Sequence, residues 1–314
     1  MILITGATGF VGQAILNRLT YDYGMMVRVL LRPGARADRL PREVPIHVMM
    51  GAITDQESLL AAMDGVHTVV HLAATDTRGR HADLDGVDVL GADRLVEAAR
   101  IARVGRIFLV SRFGADKASA YPVMRAKGQI ESLVKNSGIS YTIFRTGVLF
   151  GKHDSFSEHI AMLLRAFPVY FVPGEGDVML QPLWVEDLAR CVVMSLESLD
   201  MLDRVLDLGG PELLTYRRIV QRVMHASGAQ RPIVNVPLLW HRAGAWFLDG
   251  FFARWPFTGH WVDMLGANRT SDLGNVERYF GFRPTRLDLE VLRSYVHKRR
   301  YTFELIRYIL TTKW

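Results

Sequence analysis

The stretch Ile2-Leu3-Ile4-Thr5-Gly6-Ala7-Thr8-Gly9-Phe10-Val11-Gly12 constrains the fold more than any other part of the chain. A short continuous apolar run reads as a buried parallel strand. Three glycines at three-residue spacing follow it, and residues 10–19 then read as a helix. Each glycine has its own physical task. Gly6 permits the tight turn out of the strand, Gly9 lets a pyrophosphate approach bare backbone, and Gly12 lets the helix pack closely on the sheet. The helix N-terminus presents unpaired N–H groups and a positive dipole end to the phosphates. With a strand before it and a helix after it, this loop predicts dinucleotide binding rather than an ordinary strand–helix turn.

The next 130 or so residues keep an alternating rhythm, counting roughly from the loop. Strands are predicted at 27–32, 46–50, 68–72, 106–111 and 141–145. Helices are predicted at 55–63 (capped by Thr54), 86–103 and 123–136. Strands alternating with helices argue for an α/β fold with a doubly wound parallel Rossmann sheet, whose strand C-terminal ends form the ligand edge. After Gly147 the rhythm breaks, and a smaller, mostly helical C-terminal lobe is expected. The dinucleotide-binding core is assigned to residues 1–150, with 183–208 returning to the sheet. The smaller lobe takes 151–182 and 209–300, and a basic aromatic helix takes 301–314.

Composition narrows the setting. Cys191 is the single cysteine, so no internal disulfide forms, which fits a cytoplasmic or equivalent reducing compartment. No signal-peptide pattern precedes the first strand, and no uncharged apolar run reaches the length of a membrane span. The net charge is +6. Residues 283–314 alone carry eight Lys/Arg against three Asp/Glu. Two sharp readings of this tail are an anionic membrane surface and an acidic partner, beside a plain solvated terminus. Nucleic acid is not expected, because no recognition motif accompanies the charge.

Several motifs in this order resemble the extended and atypical short-chain dehydrogenase/reductases. The glycine loop resembles their phosphate loop, and Val70-His71-Leu72-Ala73-Ala74 their fourth-strand motif. Phe144-Arg145-Thr146-Gly147-Val148-Leu149-Phe150-Gly151 is similar to their Arg-Pro-Gly segment, with Thr146 in place of proline. Gln181-Pro182-Leu183-Trp184-Val185-Glu186-Asp187-Leu188-Ala189, Leu208-Gly209-Gly210-Pro211 and Gly281-Phe282-Arg283-Pro284-Thr285 complete the series. The Pro173-Gly174-Glu175-Gly176 loop, the Gln181-Pro182 pair and the Gly-Gly-Pro turn look most like the branch of the Rossmann-type accessory subunit of respiratory complex I. The neighbouring NmrA-like group includes redox sensors and photosynthetic assembly factors. The resemblance implies that Gly6, Thr8, Gly9, Phe10, Val11, Gly12, Arg32, Ile53, Leu72, Ala73, Ala74, Ser111 and Lys127 bind the dinucleotide.

A carboxylate at the end of the second strand would hold the adenosine ribose and repel a 2′-phosphate. Here Leu30-Leu31-Arg32 stands there, with Arg36 and Arg39 in the next loop. Arg32 suits a 2′-phosphate, so NADP(H) is expected over NAD(H). Ala52 stands where the family has an acid that helps to hold adenine.

The resemblance also implies a Tyr-x-x-x-Lys pair with an upstream serine. Residues four apart share a helix face, so lysine can lower the tyrosine's pKa and hold the ribose. Lys127 and Ser111 fall at their places, but Val123 occupies the tyrosine position. Tyr121 lies about 240° around the helix from Lys127, and Pro122 puts it outside the helix. No catalytic residue is therefore assigned, and Ser111 and Lys127 are read as remnants of the family site. His67 and His71 are read as structural. His153, Asp154 and His159 form no spaced metal set, so no metal is expected. Asp76 and Asp83 remain candidate substitute acids.

Residues 238–255 are aromatic and apolar, with His241, Arg242 and Asp249 within about 100° of one another at helical spacing. Three readings stay open: a helix packed on its lobe, a hydrophobic cleft wall, or a membrane-facing helix. Residues 301–310, just after Lys298-Arg299-Arg300, suit an interfacial anchor, a docked terminal helix or a partner contact. Together these features point to a dinucleotide-holding structural, assembly or regulatory factor of a membrane-associated redox or photosynthetic complex, with protein partners and peripheral membrane contact. An active NADPH-dependent oxidoreductase or epimerase on an apolar or quinone-like substrate, and a soluble redox sensor, are the rivals.

Overall fold

The computed structural model describes residues 1–35, 37–41, 44–252, 254–296 and 301–310. Arg36, Lys298, Arg299 and Arg300, named above for their charge, lie outside them, as do residues 311–314 of the expected terminal helix. The chain divides into two compact units: 1–75, 83–146 and 185–208 form unit 1, and 76–82, 147–184 and 209–314 form unit 2.

Unit 1 begins with β1 (Ile2–Thr5), α1 (Phe10–Asn17), β2 (Val27–Leu31), β3 (Ile46–Met50) and α2 (Gln56–Met63). It continues with β4 (Thr68–His71), α3 (Leu90–Ile101), β5 (Arg106–Arg112), α4 (Pro122–Lys135) and β6 (Ser140–Thr146). After helix α5 (Ser157–Ala166) of unit 2, α6 (Val185–Leu196) and β7 (Arg204–Leu208) complete it. The seven strands are ordered β7-β6-β5-β4-β1-β2-β3, and every pair is parallel. Order reverses beside β1, which makes the C-terminal end of β1 the switch point where ligands bind in doubly wound sheets. Leu3, Val69, Ile107 and Ile143 of the strands pack with Leu59 of α2, Leu95 of α3 and Ile130 of α4. Helices α1 and α6 pack against each other.

Two buried arginines tie the layers. Arg28 of β2 donates to the carbonyls of Ala62 and Asp64 at 2.9 and 2.6 Å, satisfying the open C-terminal end of α2. Arg106 of β5 donates to Thr142 Oγ1 and to the Ser195 carbonyl at the end of α6.

Helix boundaries differ from expectation at two points. Asp55, not Thr54, caps α2, its carboxylate accepting from Ser58 N at 3.3 Å. Either residue type caps well, and only the backbone path decides between them. The helix expected at 86–103 is a π-turn at Leu84–Val89 followed by α3. Asp83 caps that turn through Gly86 N at 2.8 Å, so this candidate acid serves as a cap.

Unit 2 contains α5, α7 (Tyr216–Ser227), α8 (Leu238–Phe251), α9 (Gly259–Met264), α10 (Asn275–Phe280), α11 (Leu289–Val296) and α12 (Tyr301–Leu310). Short strands at Tyr170–Pro173 and Ile233–Val236 pair in parallel. Its core joins Ile160 and Leu164 of α5, Ile219 and Val223 of α7, and Leu292 and Val296 of α11. The Gln181-Pro182 pair and the Gly-Gly-Pro turn meet here. Gln181 Nε2 donates to the Gly210 carbonyl at 2.9 Å, and a Cβ on Gly210 would lie 1.7 Å from the Pro182 oxygen.

Candidate dinucleotide site

The phosphate loop leaves β1 at the switch point. Gly6 adopts φ +76°, and a Cβ there would lie 2.7 Å from both Ala73 N and the Leu72 carbonyl carbon. Backbone from the end of β4 therefore presses directly on the turn, which places Leu72 and Ala73 beside it, with Ala74 next in the chain. Gly12 is equally constrained, since its Cβ would stand 2.2 Å from the Gly6 oxygen and 2.7 Å from Ala7 Cα. Gly9 is different. Its φ is −76° and ψ 170°, open to any residue, and a Cβ would meet protein only at the Gly6 oxygen, at 3.2 Å. Internal packing explains glycine at 6 and 12. At 9 the space a side chain would fill opens toward the start of α1, where a pyrophosphate needs close approach. No acidic residue occupies the first turn of α1, and no side chain caps it. Its unpaired N–H groups fit a phosphate.

His71 shares the end of β4. It is buried, its Nδ1 lies 2.8 Å from Thr5 Oγ1, and its pKa is pushed down to about 3 by burial and then by the Lys127 charge. It stays neutral near pH 7 and pins β1 to β4. His67 contacts Thr68 Oγ1 at the opposite end of that strand.

On the adenosine side, Arg32 is exposed just past β2. Arg39, which drew attention only as a neighbouring charge, reaches the loop itself. Its guanidinium donates to the Thr8 carbonyl at 3.3 Å, and Gln13 Nε2 donates to its carbonyl at 3.1 Å. No local pattern reveals this contact, which spans 31 residues. The half-buried Ile53 packs over Gly91 at the start of α3, where a Cβ would lie 2.8 Å from Ile53 Cγ2.

The position of the implied tyrosine lies at the start of α4. Pro122 opens α4, and Tyr121 caps it with extended backbone, outside the helix. Val123 is buried in the first turn, and Lys127 is buried one turn on. Ser111 Oγ donates to Glu131 Oε1 at 2.7 Å. The same buried carboxylate receives Arg145 Nε and Nη2 at 2.9 and 2.6 Å, and Lys135 lies 3.3 Å from it. The Ser111 proton is thus committed to a fixed carboxylate within an ion-paired cluster.

The other candidates resolve within unit 2. Asp154 is buried and accepts from the backbone N–H groups of Gly151, Phe156 and Glu158, so it staples the entry of α5. Burial raises its pKa above the usual carboxylate range. His159 packs edge-on to Tyr308 and lies 3.2 Å from the Pro256 carbonyl. Burial lowers its pKa to about 4. Asp76 is buried at the start of a short turn. Among the described residues no cluster of His, Cys, Asp and Glu could hold a metal ion.

A family model described as NAD(P)H-binding matches residues 6–161, which covers this loop, β4, Ser111 and α4. The chain carries an NAD(P)H-binding Rossmann unit. It is 28% identical over 240 residues to the photosystem II assembly factor Ycf39 of Cyanophora paradoxa, covering 76% of this chain and 72% of that one. It is 24% identical over 227 residues to the mitochondrial NADH dehydrogenase [ubiquinone] 1 alpha subcomplex subunit 9 of Arabidopsis thaliana, covering 69% of this chain and 56% of that one. The NADPH-dependent quinone oxidoreductase QOR2 of Escherichia coli, solved with NADPH, shares the fold at a TM-score of 0.74 and 20% identity, covering 94% of this chain and 98% of that one. This family position agrees with the atypical short-chain dehydrogenase/reductase resemblance.

Proposed function

We propose that the chain holds NADP(H) as a bound structural or regulatory ligand, as an accessory or assembly factor of a membrane-associated redox or photosynthetic complex. One observation carries the non-catalytic part: a buried valine stands where the family places its proton-transferring tyrosine, beside a serine whose hydroxyl is committed to Glu131. A bound nicotinamide would supply hydride chemistry. Val123 has no proton to exchange with it. Lys127 keeps the role of ribose contact, and the glycine loop with α1 holds the pyrophosphate. The relatives named as an assembly factor and as a complex subunit support protein partners of that kind. Arg32 and Arg39, with no acid at the end of β2, support the 2′-phosphate over the free ribose.

The test is turnover. Protein loaded with NADPH and offered a panel of carbonyls and quinones should leave the nucleotide unoxidised. NADPH consumption that Ser111→Ala abolishes would overturn the non-catalytic reading in favour of an oxidoreductase or epimerase. Strong selection of one redox form in titrations would favour a redox sensor.

A further inference from the structure

Helix α8 is amphipathic in the inverse sense. At 100° per residue, Leu239, Trp240, Trp246, Phe247 and Phe251 fall within an arc of roughly 160°. They are 76%, 71%, 58%, 65% and 74% exposed. The rest of that arc is Ala243, Gly244 and Gly250, so α8 itself puts no charged residue on it; at its edge the Arg80 guanidinium lies 4.4 Å from the Trp246 ring. The opposite side carries the polar groups, and unit 2 satisfies them. Asp249 is 1% exposed and accepts from Arg80 N at 2.7 Å. Arg242 pairs with Asp263 of α9 at 3.3 Å. Water-facing helices are built the other way round.

We infer that the outward face of α8 docks on a lipid bilayer with anionic headgroups. The inference deepens the reading of a membrane-associated factor, and it rests on unit 2 alone. Three observations favour lipid as the occupant. First, the side chains of the arc offer no hydrogen-bonding group besides two indole N–H groups, whereas protein interfaces carry a polar rim and about one hydrogen bond per 100–200 Å²; the cation beside them, Arg80 over Trp246, suits an anionic headgroup. Second, it holds two tryptophans, the side chain enriched at the membrane–water boundary. Third, charge is complementary: unit 2 contains 20 Lys/Arg against 13 Asp/Glu, while unit 1 contains 18 against 19. Helix α12 carries a second set of outward apolar side chains. Its Tyr301 and Leu305 are buried while Phe303, Ile306 and Leu310 face outward. Just beyond α8, the Arg254 guanidinium lies 5.4 Å from the Tyr308 ring of α12. No helix among the described residues is long and apolar enough to cross a membrane, so the contact is one of lying on the surface.

The experiment is co-sedimentation with protein-free vesicles of phosphatidylcholine, with and without phosphatidylglycerol. The full chain should bind the anionic vesicles more tightly, and brominated lipids should quench its tryptophan fluorescence. Trp240→Ser with Phe247→Ser should weaken that binding at least tenfold. Both positions are exposed, so circular dichroism and NADPH affinity should hold. A Gly9→Asp chain should lose NADPH yet still sediment, which separates this inference from the nucleotide reading. No vesicle binding, or binding unchanged in the double variant, would overturn it. So would self-association in lipid-free buffer that the same substitutions abolish, which assigns the face to a second copy. Binding to native membranes but not to protein-free vesicles would assign it to a protein partner and overturn it equally.

Discussion

Three alanine substitutions in one loop separate what glycine does for the fold from what it does for the ligand. At Gly9 the backbone is extended, and an added Cβ meets one protein atom at 3.2 Å, which needs a shift of a few tenths of an ångström. Gly9→Ala should change folding stability by less than about 1 kcal/mol, partly offset because alanine restricts the unfolded chain. Gly12→Ala puts a methyl 2.2 Å from the Gly6 oxygen, backbone that cannot rotate away. The overpacking should cost about 1–3 kcal/mol or more. Gly6→Ala adds a left-handed backbone penalty of about 1–2 kcal/mol to a clash with Ala73 N. Each kilocalorie should lower Tm by roughly 2–4 °C for a unit of this size. Ligand affinity should rank differently. A methyl at residue 9 occupies the phosphate's approach and should weaken NADPH about tenfold to a hundredfold if its overpacking cost is about 1–3 kcal/mol. Gly9→Asp adds a charge: two unit charges about 4 Å apart at an effective dielectric of about 20 repel by about 4 kcal/mol, near a thousandfold in Kd. Thermal melts without nucleotide and calorimetric titrations with NADPH measure the two axes. Undiminished NADPH affinity in Gly9→Asp, or a Gly9→Ala chain that melts as early as Gly12→Ala, would refute the division of labour.

Other consequences are equally accessible. Arg32→Asp should repel a 2′-phosphate and accept ribose hydroxyls, moving preference toward NADH by tenfold or more in paired titrations. Glu131→Ala leaves Arg145 and Ser111 without their buried partner and should destabilise unit 1 by about 3–5 kcal/mol in urea melts. The histidines set a pH dependence. The folded pKa of His71, about 3, lies below the unfolded value near 6.5, so the unfolded chain takes up a proton that the folded chain refuses. Stability should therefore fall as pH drops below about 6.5, by about 1.4 kcal/mol per pH unit for this residue. His71→Gln should remove that slope from melts between pH 6.5 and 5, and an unchanged slope would show that His71 is not its source.

The Rossmann sheet was legible because its signals are local. Gly6, Gly9 and Gly12 sit within seven residues, and each strand of the sheet is a short apolar run. The start of α4 and the placing of Val123 and Lys127 on it were legible for the same reason, since Pro122 fixes where the helix begins. The contacts that complete the site are long-range, and no spacing announces them. Arg39 meets Thr8 because a loop folds back across 31 residues, and Ser111 gives its hydroxyl hydrogen bond to Glu131 across 20. Thr54 and Asp55 are both capping residues, so composition could not choose between them. Asp83 had the chemistry of an acid catalyst, yet its carboxylate is spent on Gly86 N.

Periodicity divides a helix into two faces without saying which one looks inward, and the usual apolar-inward rule supplies the choice. That rule holds for α3, where Leu95, Val96 and Ala99 are buried while Asp93 and Arg100 are exposed. It fails for α8, where Asp249 of the polar stripe is buried and Arg242, though exposed, pairs with Asp263, while the large apolar side chains face water. The inversion has a local cause. The backbone N–H of Arg80 and the carboxylate of Asp263 offer Asp249 and Arg242 partners that water would otherwise supply. A helix that satisfies its polar groups inward while leaving two tryptophans and two phenylalanines outside gains nothing from an aqueous neighbour. Conflicts between local pattern and global placement concentrate at functional surfaces. On that ground the departure at α8 is the feature of unit 2 most worth testing, as the glycine loop is of unit 1.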